Sequence, residues 1–224
     1  MWCLPGAPSA AFVCAMEDVL DVYTRPYDPQ YPMVCVDETS KQLVGEVETP
    51  LPAVPGYLAR YDHHYMRNGV ANLFMMLESL TGHCQVKVTE RRTKRDWALL
   101  MKDLVDRHYP QANTITLVMD NLGSHQKEAL YQVFPPTEAK RIADKIDIHF
   151  TPKRGSWLNI AEIGLNVLFR QCLNRRIGTI QQLGKQVKAW LKQRGKKPPT
   201  INWRFTTDDA RIKLHRLYPA LLPS

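Results

Sequence analysis

Met33-Val34-Cys35-Val36-Asp37 is a short apolar run that ends in a carboxylate. Four consecutive apolar residues at this length read as a strand buried on both faces. A second run, Thr114–Met119, has the same form and the same ending, Asp120. Val70–Leu77 and Gln85–Val88 read as two further strands, with Thr81-Gly82 as turn chemistry between them, and Ile146–Phe150 reads as a fifth.

Helical spacing fills the intervals. Residues 11–23 carry Phe12, Met16, Val19, Leu20 and Tyr23 on one stripe. Pro26, Pro29 and Pro32 then break the pattern, so this helix and its linker (residues 1–32) are expected to form an arm. Lys94–His108 forms a helix with Trp97, Leu100, Met101, Leu104 and Val105 inward, stopped by Pro110. Gln126–Phe134 and Pro136–Lys145 follow as helices, then residues 157–174 with Ser156 as the expected N-cap, then Thr179–Arg194. Residues 33–195 thus form the main domain, and 196–224 a basic extension ending in a helix over Asp208–Leu217. The order predicts an α/β fold, a mixed sheet with helices on its faces. Neither GxGxxG nor GxxxxGK[ST] occurs, which removes the common nucleotide-binding readings.

Composition narrows the class. The 224 residues are 44% hydrophobic and 23% charged, the balance of a globular protein. No stretch approaches the roughly 20 apolar residues that cross a bilayer, and no secretory signal opens the chain, so a cytoplasmic location without a membrane partner is expected. Five cysteines without a CxxC pair disfavour disulfide and zinc-thiolate frameworks. The net charge of +8 is uneven: residues 151–224 hold 15 basic and 3 acidic side chains. That third of the chain suits a polyanion partner, although a solvated basic surface would look the same.

Asp37 and Asp120 end apolar runs, where a carboxylate is costly unless it is paired or metal-bound. One such Asp is often only a cap; two at corresponding strand ends would repel each other without a cation. Glu38, next along the strand, would point to the opposite face and is given no metal role. Glu162 lies on the predicted helix 157–174, bordering the inward stripe of Leu158, Ala161, Leu165, Leu168 and Cys172. A first-turn Glu can simply serve the helix dipole, but that does not explain its lean toward the apolar side. Three hard oxygen donors suit Mg²⁺ or Mn²⁺. Two such ions about 3.5–4 Å apart are the clamp used for displacement at phosphorus.

Three blocks carry a family resemblance. Val34–Ser40, Val118–His125 and Phe150–Glu162, the last reading FTPKRGSWLNIAE, resemble the catalytic blocks of the DDE transposases, in the bacterial insertion-sequence branch related to the mariner superfamily. The resemblance implies a ribonuclease H-like fold with helices on both faces of the sheet. It implies Asp37, Asp120 and Glu162 as the catalytic and metal triad, holding Mg²⁺ or Mn²⁺, two ions in all. It implies cleavage of double-stranded DNA at transposon ends and 3′-hydroxyl strand transfer to a target, commonly TA, by a homodimer assembled on DNA. Family members usually add an N-terminal helix-turn-helix region. Only some 30 residues precede the first catalytic strand here, so that region is expected to be a separate chain or missing.

On the same basis Lys153, Arg154, Trp157 and Asn159 would approach DNA or shape the site, and His125 would either support the metal ligands from behind or contact phosphate. Trp157 reads as core or site wall before it reads as a base-stacking platform. Arg175 and Arg176, with Lys185, Lys188 and Lys192 at i, i+3 and i+7, form a phosphate-backbone candidate or a solvated face. His63, His64 and His83 read as surface or structural residues. The competing functions are a structure-specific nuclease of the same fold and an inactive DNA-binding remnant.

Overall fold

A computed structural model describes residues 4–60, 62–123 and 126–221. Five strands form one mixed sheet: β1 (Met33–Glu46), β2 (Tyr65–Leu77), β3 (Cys84–Thr89), β4 (Ile115–Asp120) and β5 (Ile146–Thr151), in the order β3-β2-β1-β4-β5. The first three run as antiparallel neighbours, and β4 and β5 continue the sheet in parallel with β1. Such parallel neighbours require crossover connections, which here are helical.

Strand alternation sorts the core into two halves. Cys35, Leu73, Met75 and Val118 face one cluster; Val34, Val36, Phe74, Leu117 and Met119 face the other. The second face is covered by α2 (Lys94–Asp103), α3 (Glu128–Val133) and α4 (Pro136–Asp144). The expected stripe of α2 is buried throughout, and a π-helical turn over Leu104–His108 extends it to the expected end. Thr93 starts α2 with a reciprocal capping box to Asp96.

The first face carries α1 (Ala10–Thr24), α5 (Ile160–Leu168), α6 (Ile180–Arg194) and α7 (Thr207–Lys213). This corrects the expectation of an N-terminal arm and a C-terminal extension. Phe12, Met16, Val19, Leu20 and Tyr23 share one buried cluster with Ala210, Leu214, Leu217 and the sheet. The prolines after α1 break the helix, but they do not separate it from the core. The chain turns there and enters β1, so the apolar stripe of α1 finds the open face of the same sheet.

Two boundaries also differ. β1 does not end at Asp37 but runs to Glu46, paired with β2 as a long hairpin whose tip forms a loop with isolated bridges between Leu51 and Arg60 and between Val54 and Tyr57. Polar residues beyond Asp37 hide this half of the strand, because it projects past the core and needs no apolar run. The α5 cap is Asn159, not Ser156: Ser156–Leu158 form a 3₁₀ turn first. Among the described residues no helix is long and apolar enough to cross a membrane, and Cys14, Cys35, Cys84 and Cys172 are free thiols.

Candidate active site

The ladder between β1 and β4 registers Met33 with Thr116, Val34 with Leu117 and Cys35 with Val118, and stops there. Two residues further along each strand stand Asp37 and Asp120. The same alternation that puts Cys35 and Val118 on the α1/α5 face puts both carboxylates on that face. β4 stays paired with β5 through Asp120 and Thr151, so only the β1 side unzips. The two Asp therefore sit at the mouth of a split between parallel strands, where side chains converge without crowding the core.

Asn159 fills the split. Its amide nitrogen donates to the carbonyl of Val36 at 2.9 Å, and its side-chain oxygen accepts from the N–H of Ala161 at 3.1 Å. One side chain thus satisfies a strand carbonyl that β4 has abandoned and caps α5. Glu162 occupies the first turn of that helix. Tyr23 of α1 secures the approach: its hydroxyl donates to the Leu158 carbonyl at 2.5 Å and accepts from the Ile160 N–H at 3.4 Å.

Oxygens of Asp37, Glu38 and Asp120 lie within 4.8 Å of one another. Glu38 is a correction. Its backbone does alternate away from Asp37, but its longer side chain reaches the cluster while Arg92 holds it at 3.3 Å. Glu162 is not part of that mutually close group, yet its charge acts on Asp37. Burial raises the Asp37 carboxyl to about 7, the Glu38 N–H works against the shift at 2.8 Å, and the charges of Asp120, Glu38 and Glu162 add to it. An acidic group held this far from ionisation by burial and like charges is one that a divalent cation would relieve. The donor set, carboxylate oxygens without a cysteine or histidine among them, fits Mg²⁺ or Mn²⁺.

The family pattern described as DDE superfamily endonuclease matches residues 32–184, which include all of these carboxylates. The chain belongs to the DDE superfamily endonuclease family. Solved structures agree on the fold of this DDE endonuclease domain. The Mos1 mariner paired-end complex with Mn matches with a TM-score of 0.55 at 15% identity, covering 96% of this chain and 62% of that one. The Mos1 strand transfer complex matches with a TM-score of 0.56 at 13% identity, covering 84% and 57%. The mariner Mos1 paired-end complex with Mg gives 0.54 at 13% identity, covering 98% and 66%. The chain thus spans about three fifths of the length of the Mos1 chains it matches. The fold is the ribonuclease H-like one expected, and no curated relative matches the sequence.

The expected DNA contacts of this DDE endonuclease domain divide. Lys153 and Arg154 are exposed at the end of β5, Arg154 in a left-handed backbone conformation at φ 67°. Arg175, Lys185, Lys188 and Lys192 are exposed as well, the lysines on α6, which packs over β3. Two are engaged within the chain itself. Asn159 is 1% exposed, with both ends of its amide engaged internally. Arg176 is bound to Glu46 at 2.5 Å and to the Asp62 carbonyl at 2.8 Å, fastening the β1–β2 hairpin. Trp157 is half-buried and packs against the core, edge-on to Phe205 at 6.4 Å. His125 lies outside the described residues. The sequence reading gave no role to Arg92 or Tyr23; Tyr23 was visible only as one member of an apolar stripe, and Arg92 only as part of the run Glu90-Arg91-Arg92-Thr93-Lys94 that shares the family resemblance.

Proposed function

We propose that this chain is the catalytic part of a transposase, cutting DNA at transposon ends and joining the freed 3′-hydroxyl to a target. The observation that carries this reading is the pair Asp37 and Asp120 at the unzipped β1/β4 edge, with Glu162 on the helix capped there by Asn159. Asp37, Asp120 and Glu162 would hold two divalent ions, Glu38 remaining with Arg92. Those ions would supply an activated attacking oxygen and charge stabilisation at the leaving one. The protein's own share is to keep the carboxylates together, to give up the Asp37 proton and to hold DNA against the site. Lys153 and Arg154 are placed beside the end of β5, next to the strand that carries Asp120. The basic helix α6, which packs over β3 at the other edge of the sheet, offers a second positive surface.

Support for an insertion-sequence origin comes from the FTPKRGSWLNIAE block, and for DNA as substrate from the paired-end and strand transfer complexes of Mos1. A homodimer is supported by the apolar loop between β1 and β2, where Leu51, Tyr57 and Leu58 are 60%, 65% and 88% exposed. TA is the expected target.

The test is Mg²⁺- or Mn²⁺-dependent cleavage of DNA carrying the inverted repeats that flank the coding sequence, followed by strand transfer. Asp120→Asn is expected to abolish both while leaving the circular dichroism spectrum and unfolding midpoint close to those of the parent. Cleavage by the variant at the parental rate would overturn the assignment. Cleavage by the parent without joining to target would identify a nuclease instead.

A further inference from the structure

β3 delivers the chain to a basic turn beside the acidic site. Its last residue, Thr89, pairs with Asn72, which pairs in turn with Ser40 of β1, so β3 ends level with a point three positions past Asp37. The turn that follows, residues 90–93, therefore lies at the same end of the sheet as Asp37 and Asp120. Two bonds hold it there: the Asn72 amide donates to the Glu90 carbonyl at 3.2 Å, and the Thr89 hydroxyl donates to the Arg91 carbonyl at 2.6 Å.

Four cations fall within five residues here, Arg91, Arg92, Lys94 and Arg95, and all are exposed. Lys94 and Arg95 open α2, where the aligned peptide dipoles disfavour positive charge. Asp96, the acid that suits that position, is already bonded to Thr93 in the capping box, so the helix end itself is closed. Among the described residues only Arg92 of the four takes part in an ion pair, with Glu38 at 3.3 Å; the neighbouring Glu90 pairs with none of them. Cations placed against a helix dipole and left without acidic partners suit an anion from outside the chain.

Arg92 links this turn to the acidic cluster. The Glu38 side chain is 3% exposed and its oxygen lies with those of Asp37 and Asp120, whereas the Arg92 side chain is 47% exposed. A guanidinium has five N–H donors in a fixed fork, and the Glu38 contact engages one nitrogen of it. The others remain for a second anion. Lys153 and Arg154 stand at the end of β5, on the β4 side of the cluster, and Arg92 reaches it from the β2 side. Positive groups thus flank the carboxylates on both sides.

We propose that the turn Arg91–Arg95 seats the phosphate backbone of DNA on the β2 side of the proposed metal centre, with Arg92 as a positioning residue that bridges phosphate and Glu38. The proposal rests on the transposase reading and adds to it where the strand lies.

The test reads duplex binding without metal. Fluorescence anisotropy of a labelled duplex of random sequence is followed across a salt series for the whole chain and its variants. Lys94→Gln with Arg95→Gln should weaken binding roughly tenfold at low salt and reduce the slope of log affinity against log salt by about 2, one for each lost phosphate contact. The unfolding midpoint of that variant should hold or rise, because the changes remove charge that the helix dipole disfavours. Arg107→Gln with Lys140→Gln removes the same charge from exposed positions on the same sheet face, on the turn that extends α2 and on α4, and should leave affinity and slope near parental. Arg92→Lys keeps a charge beside Glu38 but loses the fork, and should weaken binding about threefold. Equal effects of the two charge-matched variants would reduce the turn to a share of the net charge and overturn the proposal. So would parental binding by Lys94→Gln with Arg95→Gln, or by Arg92→Lys. Since no metal and no cleavage enter this measurement, its failure counts against the turn alone, whereas failure of metal-dependent cleavage by the parent counts against the transposase reading.

Discussion

Asn159 bridges the two halves of the candidate site, since it bonds the residue before Asp37 and caps the helix bearing Glu162. Asn159→Ala leaves a buried carbonyl and a buried N–H unpaired and is expected to lower stability by about 2 kcal/mol, read from denaturant unfolding. Asn159→Asp keeps the cap but not the donor to Val36. Its cleavage rate should fall well below its loss of stability, with a higher metal requirement; equal rates in Asp and Asn would make the residue a cap only. The raised Asp37 carboxyl has its own consequence. Because the folded value, about 7, lies above the ordinary one, its protonation stabilises the metal-free protein at low pH, and that contribution is lost as pH rises through about 7. Metal displaces the same proton, so Mg²⁺ affinity should climb about tenfold per pH unit below 7 and level off above it. Calorimetry in buffers of different ionisation enthalpy reads the released proton directly; a flat profile from pH 5 to 8 would separate Asp37 from the metal.

The elements show why a correct helix can still be misplaced. The stripe of α1 was legible in the sequence, as was the break after it, but a stripe shows only that a helix has a buried side. It does not show what covers that side. Here α1 lies on the same sheet face as α5, with Arg211 of α7 paired to Glu17 at 2.9 Å and His149 of β5 bonded to Asp18 at 2.8 Å. Each large apolar side chain so buried contributes about 1.5–3 kcal/mol. A chain starting at residue 26 should therefore expose the sheet, bind hydrophobic dyes and lose its cooperative unfolding transition, whereas a true arm could be removed freely. Gly164 makes the matching point for α5. A Cβ there would collide with Met75 Sδ and stand 3.1 Å from Leu77 Cδ2, so the helix sits at glycine distance from β2. Gly164→Val should lower the unfolding midpoint by several degrees and shift α5, with Glu162, away from the strands.

At the scale of the whole molecule, charge is arranged by sequence region and by face. Residues 151–224 carry 15 of the 30 basic side chains, and the lysines of α6 are exposed together. DNA affinity is therefore expected to fall steeply with salt, as cations of the protein replace counterions on phosphate. Changing Lys185, Lys188 and Lys192 to Gln should weaken binding alike for all sequences and flatten the plot of log affinity against log salt. An unchanged slope would make α6 a solvated face.

The chain alone specified the strands that alternate or run apolar, the main helices, the basic third and the three carboxylates of the blocks, because each is written in local periodicity or in contiguous residues. Tertiary structure decided what covers α1, how far β1 runs beyond Asp37, that Asn159 is a tie and Arg176 a fastener, and that Glu38 reaches the acidic cluster. Those outcomes depend on which atoms meet across 50 to 200 positions of sequence, and a side chain carries no mark of its distant neighbour until the sheet brings the two together.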